Sequence, residues 1–186
     1  SETWIAFDST GIDHVEFLLS PGSGEPLRSL AVTASGGEAS RLMLAIKGVL
    51  TAADQTPTLV FDEVDAGIGG RVGTVVGDKT WRLSANHQVV CVTHLPQIAA
   101  FADHHVHIEK SVVKGRTVTS TQTLSPEGMV EEISNMLGSA SAITRSHAKE
   151  MLEQTSQWKK GQGKNNGASG LETLQLHLLD TPGESN

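Results

Sequence analysis

The chain is short of cysteine, of positive charge and of long apolar runs, and each shortage excludes something. Its 186 residues include one cysteine, Cys91, so no disulfide framework forms within it, as suits a reducing cytosol. Cys91 sits in an apolar run with Val89, Val90 and Val92, where a buried, inert thiol is expected. Lys and Arg number 14 against 21 Asp and Glu, a formal net charge of -7. A domain that neutralises many phosphates carries the opposite balance, so bulk charge does not read as a nucleic-acid-binding surface. No apolar run approaches the roughly 20 residues that span a bilayer. The segment after Ser1 lacks the basic region and apolar stretch of a signal peptide. A cytoplasmic protein with no membrane partner is the expectation. Hydrophobic residues make up 38%, low for a compact domain, and a polar stretch near the end accounts for part of the deficit.

What is present alternates between strand-like and helix-like patterns. Val15 to Leu19 reads as a strand, followed by a turn-rich segment from Ser20 to Pro26. After Gly36-Gly37, the apolar residues Leu42, Ile46, Val49, Leu50 and Ala53 recur at helical spacing. Thr58 to Phe61 is a short apolar run of the kind buried on both faces of a parallel sheet, and Val89 to Val92 reads as another. Between them, Arg71 to Leu83 predicts a helix with Val72, Val75, Val76 and Leu83 as its apolar members. A short helix is expected over Leu95 to Phe101, and a β-hairpin around Lys114-Gly115. A helix from Pro126 to Leu137 has Ser125 as its cap, and a last helix runs from about Ala142 to Trp158. The alternation predicts an α/β fold with a parallel sheet, a small hairpin and C-terminal helices. Residues 1–158 read as one domain. Residues 159–186 read as a flexible tail, with a short amphipathic helix in LETLQLHLL.

Three places carry candidate chemistry. Ser35-Gly36-Gly37-Glu38 stands at the start of the first predicted helix. Unpaired N–H groups there attract phosphate, and glycine lets an anion approach closely; the plainer reading is a Ser35 cap followed by a turn. Asp62-Glu63 closes a buried strand, where α/β sheets place ligands. Asp62 suits Mg²⁺, held through water, and Glu63 suits polarising a water for attack on a phosphate. Solvated loop acids are the alternative. Thr93-His94 closes the next strand, where an imidazole can hydrogen-bond a phosphate oxygen, or serve a structural role. Ser35 precedes Asp62 by 27 residues and Glu63 precedes His94 by 31, so the order is glycine-rich helix start, acidic strand end, histidine strand end.

That order is the signature, Walker B and switch-histidine order of ATP-binding-cassette ATPases. The blocks LAVTASGGEASRLMLAIKGVL, TLVFDEVDAGIGG and VVCVTHLPQIAAFADHHVHIEK resemble the RecN family of SMC-like DNA-repair ATPases. So do TGIDHVEFLLSPGSGEPL and EEISNMLG, and the resemblance covers roughly residues 8 to 155. Transport cassettes usually follow the acidic pair with Pro-Thr, whereas this chain has Val64-Asp65-Ala66-Gly67. Ala34 stands where cassette proteins often have leucine, a variant that fits the RecN pattern.

The resemblance implies the C-terminal lobe of a P-loop NTPase-type head that binds ATP and Mg²⁺. Ser35, Gly36, Gly37 and Glu38 would contact nucleotide held by a second head of a homodimer. Asp62 would support Mg²⁺, Glu63 would be the catalytic carboxylate, and His94 the switch histidine. Asp65 would belong to the loop linking the two sites, and Arg41 would assist the same interface. The phosphate loop GxxxxGK[ST] is missing. The nearest stretch, Gly73 to Thr80 (GTVVGDKT), has Asp78 between glycine and lysine and reads as helix interior. An N-terminal lobe carrying Walker A and a coiled coil is therefore an expected partner, with DNA engaged by the full-length, nucleoid-associated protein during double-strand-break repair and recombination. An ABC transporter subunit and a non-catalytic scaffold are the rival readings. His104, His105 and His107 lack an acidic or cysteine partner at ligand spacing, and Lys110, Lys114 and Arg116 read as a solvated hairpin tip.

Overall fold

The computed structural model describes residues 9, 11–13, 15–20, 24–30, 35–50 and 54–162. Their elements run β1 (Leu18–Leu19), β2 (Arg28–Ser29), α1 (Gly36–Leu50), β3 (Thr58–Phe61), α2 (Gly70–Leu83), β4 (Gln88–Cys91), α3 (Pro96–Ala99), β5 (Val106–Val113), β6 (Arg116–Thr123), α4 (Pro126–Met136) and α5 (Ala142–Gln162). β3 and β4 pair in parallel, with Thr58 opposite Gln88 and Phe61 opposite Cys91. Helix α2 lies in the long connection that parallel pairing requires. The α/β class, the hairpin and the C-terminal helices all form as the sequence predicts. The described residues cluster in two compact units, one within 1–68 and 82–93, the other within 69–81 and 94–186.

In the first unit, β3 and β4 depart from the sequence expectation by burying one face only. Leu59 and Phe61 are buried, while Val60 between them is 68% exposed. Val90, its partner across the pair, and Val92 are also exposed. Side chains alternate across a strand, and no third strand pairs with these two among the described residues. The N-terminal strand is likewise shorter than predicted. Only Leu18–Leu19 pairs, antiparallel to Arg28–Ser29, and Val15 and Phe17 are exposed. Ser20 Oγ donates to the Glu25 carbonyl at 2.9 Å across the turn, of which residues 21–23 lie outside the described set.

Helix α1 also buries a different line from the predicted one. Gly37 and Leu44, two turns apart, are its buried residues, with Ser40 and Arg41 half-buried between them. Val49 and Leu50 are exposed, and Ala53 lies outside the described residues. Two polar side chains on the inner line break the apolar periodicity on which the prediction rested. At the other end of α1, Lys47 pairs with Asp54 at 2.5 Å. That ammonium, with help from Thr56, holds the Asp54 carboxyl well below the usual carboxylate range.

In the second unit, small residues mark the inner face of α2. Gly73, Val76, Gly77 and Thr80 are buried, whereas Val72 and Val75 are exposed. A Cβ on Gly73 would stand 3.1 Å from Leu95 Cδ1, and one on Gly77 would stand 2.5 Å from the Phe101 ring. Both glycines of GTVVGDKT are therefore helix-packing positions, which agrees with reading that stretch as helix interior. The short helix α3 supplies the neighbours, with Ile98, Ala99, Ala100 and Phe101 all buried.

Trp158 of α5 takes Trp81 and Phe101 edge-on, each at 5.4 Å between ring centroids. Lys159 bonds Asp103 at 2.8 Å and lies 5.5 Å from the Trp81 ring centroid. Both tryptophans are packing residues, and Lys159 is engaged in the turn where α5 outruns its predicted end at Trp158. Ser125 caps α4 by accepting from the Gly128 N–H at 3.2 Å. Ile133 and Ala148 join α4 to α5 around Ala99 and Ala100. Lys114 and Gly115 both have positive φ, 51° and 76°, the backbone of a two-residue hairpin turn. Of the predicted tail, 159–186, residues 159–162 instead continue α5, because Lys159 is held by Asp103, and residues 163–186 lie outside the described residues.

The contact at Gly77 sets helix propensity against packing. Alanine gains about 1 kcal/mol of helix propensity over glycine, whereas forcing atoms into a packed site costs typically about 1–3 kcal/mol. Gly77→Ala is expected to lower the melting temperature. Gly48→Ala, in α1 with no neighbour within 4 Å of the new Cβ, is expected to raise it. Thermal unfolding followed by circular dichroism checks both, and equal shifts of one sign would refute the packing role of Gly77.

Candidate functional site

The start of α1 is closed by a reciprocal pair of bonds. Glu38 N–H donates to Ser35 Oγ at 3.3 Å, and Ser35 N–H donates to the Glu38 carboxylate at 3.0 Å. This is a capping box, written in the sequence as Ser-x-x-Glu and only half recognised when Ser35 is taken as a cap by itself. Ser35 and Glu38 thus hold each other before any ligand is considered.

Against that helix start lies the loop that follows β3. Asp62 and Glu63 are exposed at its beginning, and Val64 and Asp65 are buried. Glu63 has φ 57°, a left-handed backbone that costs a non-glycine residue about 1–2 kcal/mol. Neighbouring bonds hold the loop in that shape. Ser40 Oγ donates to the Asp62 carbonyl at 2.7 Å, and the Asp62 carboxylate accepts from the Glu63 N–H at 2.9 Å. Arg41 Nη1 donates to the carbonyls of Val64 at 3.2 Å and Ala66 at 2.8 Å. Ala66 N–H donates to the Glu63 carbonyl at 2.9 Å, and Thr93 Oγ1 donates to Asp65 Oδ2 at 2.6 Å.

The two glycines at the helix start make this docking possible. A Cβ on Gly36 would run into the Glu63 carboxylate. One on Gly37 would stand 2.8 Å from Ala66 Cβ, and 3.0 Å from both the Ala66 carbonyl oxygen and Arg41 Nη1. Glycine at 36 and 37 therefore has an intramolecular reason beyond the close approach of an anion. Sequence reasoning missed this, because nothing in the spacing announces that residues 62–66 return to α1. The Ser40-Arg41 pair on the inner line of the helix is the one available signal.

The structure thus brings Gly36, Gly37, Ser40, Arg41, Asp62, Glu63 and Asp65 together in the first unit, with Ser35 and Glu38 at the same helix start. His94 is exposed at the beginning of the 94–186 stretch of the second unit. Asp65 is 4% exposed, with its carboxylate turned inward onto Thr93. For Mg²⁺, the chain offers the exposed Asp62 carboxylate. No cluster of three or more His, Cys, Asp or Glu occurs among the described residues. One carboxylate with water and phosphate oxygens completing the shell is a common way of holding this ion, so the residues present fit it.

The histidines near the hairpin have protein partners. His105 is buried with Nε2 2.9 Å from the Ala99 carbonyl oxygen, and burial pushes its pKa down. His107 Nδ1 stands 3.1 Å from the Glu132 carboxylate. No helix among the described residues is long and apolar enough to cross a membrane.

No protein-family model matches the chain. It is similar to curated proteins described as DNA repair protein RecN: 46% identical to that of Bacillus subtilis over 151 residues, covering 80% of this chain and 26% of that protein. It is 48% identical to that of Deinococcus radiodurans over 143 residues, covering 76% and 25%, and 46% identical to that of Treponema pallidum over 154 residues, covering 82% and 27%. The chain thus spans about a quarter of the length of these relatives and matches their C-terminal portion. A solved structure from work on ATP-driven dimerisation and DNA-stimulated activation of SMC ATPases aligns with 74% of this chain and 81% of its own, at 21% identity and TM-score 0.46.

The electrostatics of the acidic loop reach Cys91 at the end of β4. Burial, and then the charges of Asp65 and Asp62, push its thiol up from 9.0 to about 11. At pH 8 its thiolate population is then about a hundredfold below that of an unperturbed thiol, and the thiolate is the reactive form. Because a thiolate of higher pKa is also the stronger nucleophile, alkylation of Cys91 by iodoacetamide is expected to be about tenfold or more slower than that of a free thiol at pH 8, and to accelerate as pH rises towards 11. A rate equal to that of glutathione at pH 8 would refute the environment described.

Proposed function

We propose that this chain, RecN-like over four-fifths of its length, is the C-terminal lobe of an SMC-like ATP-binding-cassette head. The complete protein would hydrolyse ATP between two such heads in DNA double-strand-break repair and recombination. The observation that carries this reading is the docking of the Asp62–Ala66 loop on the first turns of α1, which puts the proposed catalytic carboxylate beside the proposed nucleotide-contacting glycines. Two solvated acids with no further role would not require a left-handed residue, a bridging arginine and two glycines to hold them there.

In this reading an N-terminal lobe of the same protein supplies the phosphate loop and coiled coil, and a second copy supplies the opposing head. The extent of the curated relatives supports the missing lobe. So does the exposed apolar face at Val60, Val90 and Val92, since apolar side chains in a row are stabilised by burial against further structure. Ser35, Gly36, Gly37 and Glu38 contact nucleotide held by the second head. Asp62 holds Mg²⁺ through water, and Mg²⁺ when bound would neutralise developing phosphate charge. Glu63 accepts a hydrogen bond from the attacking water and polarises it. His94 senses the γ-phosphate, and Asp65 holds the connecting loop through its bond with Thr93.

The Glu63 carboxylate lies where a Cβ on Gly36 would stand, at the helix start proposed to meet the opposing nucleotide.

Glu63→Gln in the complete ATPase is expected to keep ATP binding, lower turnover about a hundredfold or more, and accumulate joined heads by gel filtration with ATP. Unchanged turnover would remove Glu63 from the catalytic role. A protein that remains without ATPase activity when a phosphate-loop-bearing lobe is added would instead be a scaffold.

A further inference from the structure

Glu63 stands on a backbone that it would not adopt unaided, and the bonds around it differ in reach. Ser40 holds the loop before Glu63, at the Asp62 carbonyl. Thr93 holds it through the Asp65 side chain. Arg41 fastens the main-chain carbonyls of Val64 and Ala66, beyond Glu63, with the same Nη1. Rotating Glu63 out of the left-handed region turns the peptide that carries the Val64 N–H and swings the chain beyond it, which moves both carbonyls off Arg41. Gly37 leaves the space through which that guanidinium passes, 3.0 Å from where a Cβ would stand.

We infer that Arg41 is a positioning residue for Glu63. It fixes the left-handed turn that sets where the carboxylate points, and it ties that turn to the helix whose first residues meet the opposing nucleotide. This rests on the catalytic reading of Glu63 given above, and it assigns Arg41 a task within its own head. Lysine cannot take the place of arginine fully. Both bonds leave Nη1, at the end of a side chain longer than lysine's, and an ammonium on a flexible, strongly hydrated stem is less well placed to reach the two carbonyls.

The test compares Arg41→Ala, Arg41→Lys and Glu63→Gln in the complete ATPase. Arg41→Ala is expected to lower kcat on the order of tenfold or more, as the loss of charge-assisted bonds to two carbonyls implies, at a KM for ATP within about twofold of wild type. Arg41→Lys should recover part of that loss.

In the chain itself, Arg41→Ala should accelerate hydrogen exchange at the Ala66 and Ile68 amides, whose acceptors are the Glu63 and Asp65 carbonyls. The interior of α1 should keep its protection, which guards against simple unfolding. Three results would overturn the positioning role: unaltered kcat in Arg41→Ala, unaltered exchange at Ala66 and Ile68, or a raised KM with kcat intact. The last would move Arg41 to the nucleotide interface. Normal turnover in Glu63→Gln would instead defeat the catalytic reading itself, so the two failures are told apart.

Discussion

The guanidinium of Arg41, shared between the carbonyls of Val64 and Ala66, is the interaction on which the local architecture hangs. A hydrogen bond from a charged donor contributes about 1.5–3 kcal/mol, whereas the left-handed backbone at Glu63 costs about 1–2 kcal/mol. Two such bonds, even with one at 3.2 Å, offset the strain with some margin. Asp62 and Val64 are then committed in opposite senses, one carrying an exposed carboxylate and the other wholly buried. A loop that must expose residues 62 and 63 and bury residues 64 and 65 has to reverse direction within four residues. The positive φ at Glu63 is where it does so.

That reversal has electrostatic consequences inside the unit. Turning Asp65 inward places a carboxylate where water is scarce, and the bond from Thr93 Oγ1 at 2.6 Å answers it. Its charge, with that of Asp62, reaches Cys91 on the neighbouring strand and adds to burial in keeping the thiol protonated. Cys91, expected from the sequence to be buried, is half-buried, and its thiol is held protonated for two reasons of which composition supplies only the first. Thr93 also extends the parallel pair in function, since β3 delivers the loop and the second residue beyond β4 fastens it.

Most of the fold was legible, and the misses share a cause. Parallel strands β3 and β4, the hairpin about Lys114-Gly115 and the Ser125 cap announce themselves through local chemistry: apolar runs, a turn pair and an Asp/Ser-type cap position. The buried faces were harder. Val60, Val72, Val75, Val90 and Val49 are apolar yet exposed, while Gly73, Gly77, Thr80 and Arg41 lie on inner faces. Hydrophobic periodicity assumes that apolar side chains mark the core. Where helices approach closely the core is marked by small residues, and where a loop docks it is marked by a donor. In the candidate site the order of Ser35, Asp62, Glu63 and His94 was visible in the chain, but the return of residues 62–66 to α1 was not. A hydrogen bond from a side chain to a distant carbonyl leaves no trace in sequence spacing.

This docking changes what substitutions at the glycines can reveal. A side chain at Gly36 displaces the Glu63 carboxylate, and one at Gly37 meets Ala66 and the Arg41 guanidinium. Gly37→Asp, which charge and bulk would suggest for blocking the proposed opposing phosphate, therefore disturbs its own loop first. In the proposed reading, a loss of head pairing in that variant would follow equally from a blocked interface and from a displaced loop. Residues that differ in only one of the two relations are the informative ones. Ser35 is exposed at the helix start, its side chain bonded to the Glu38 N–H, whereas Arg41 donates to its own loop. In the proposed reading, the contact between heads and the pose of the carboxylate within a head are separable at Ser35 and Arg41, and at neither glycine between them.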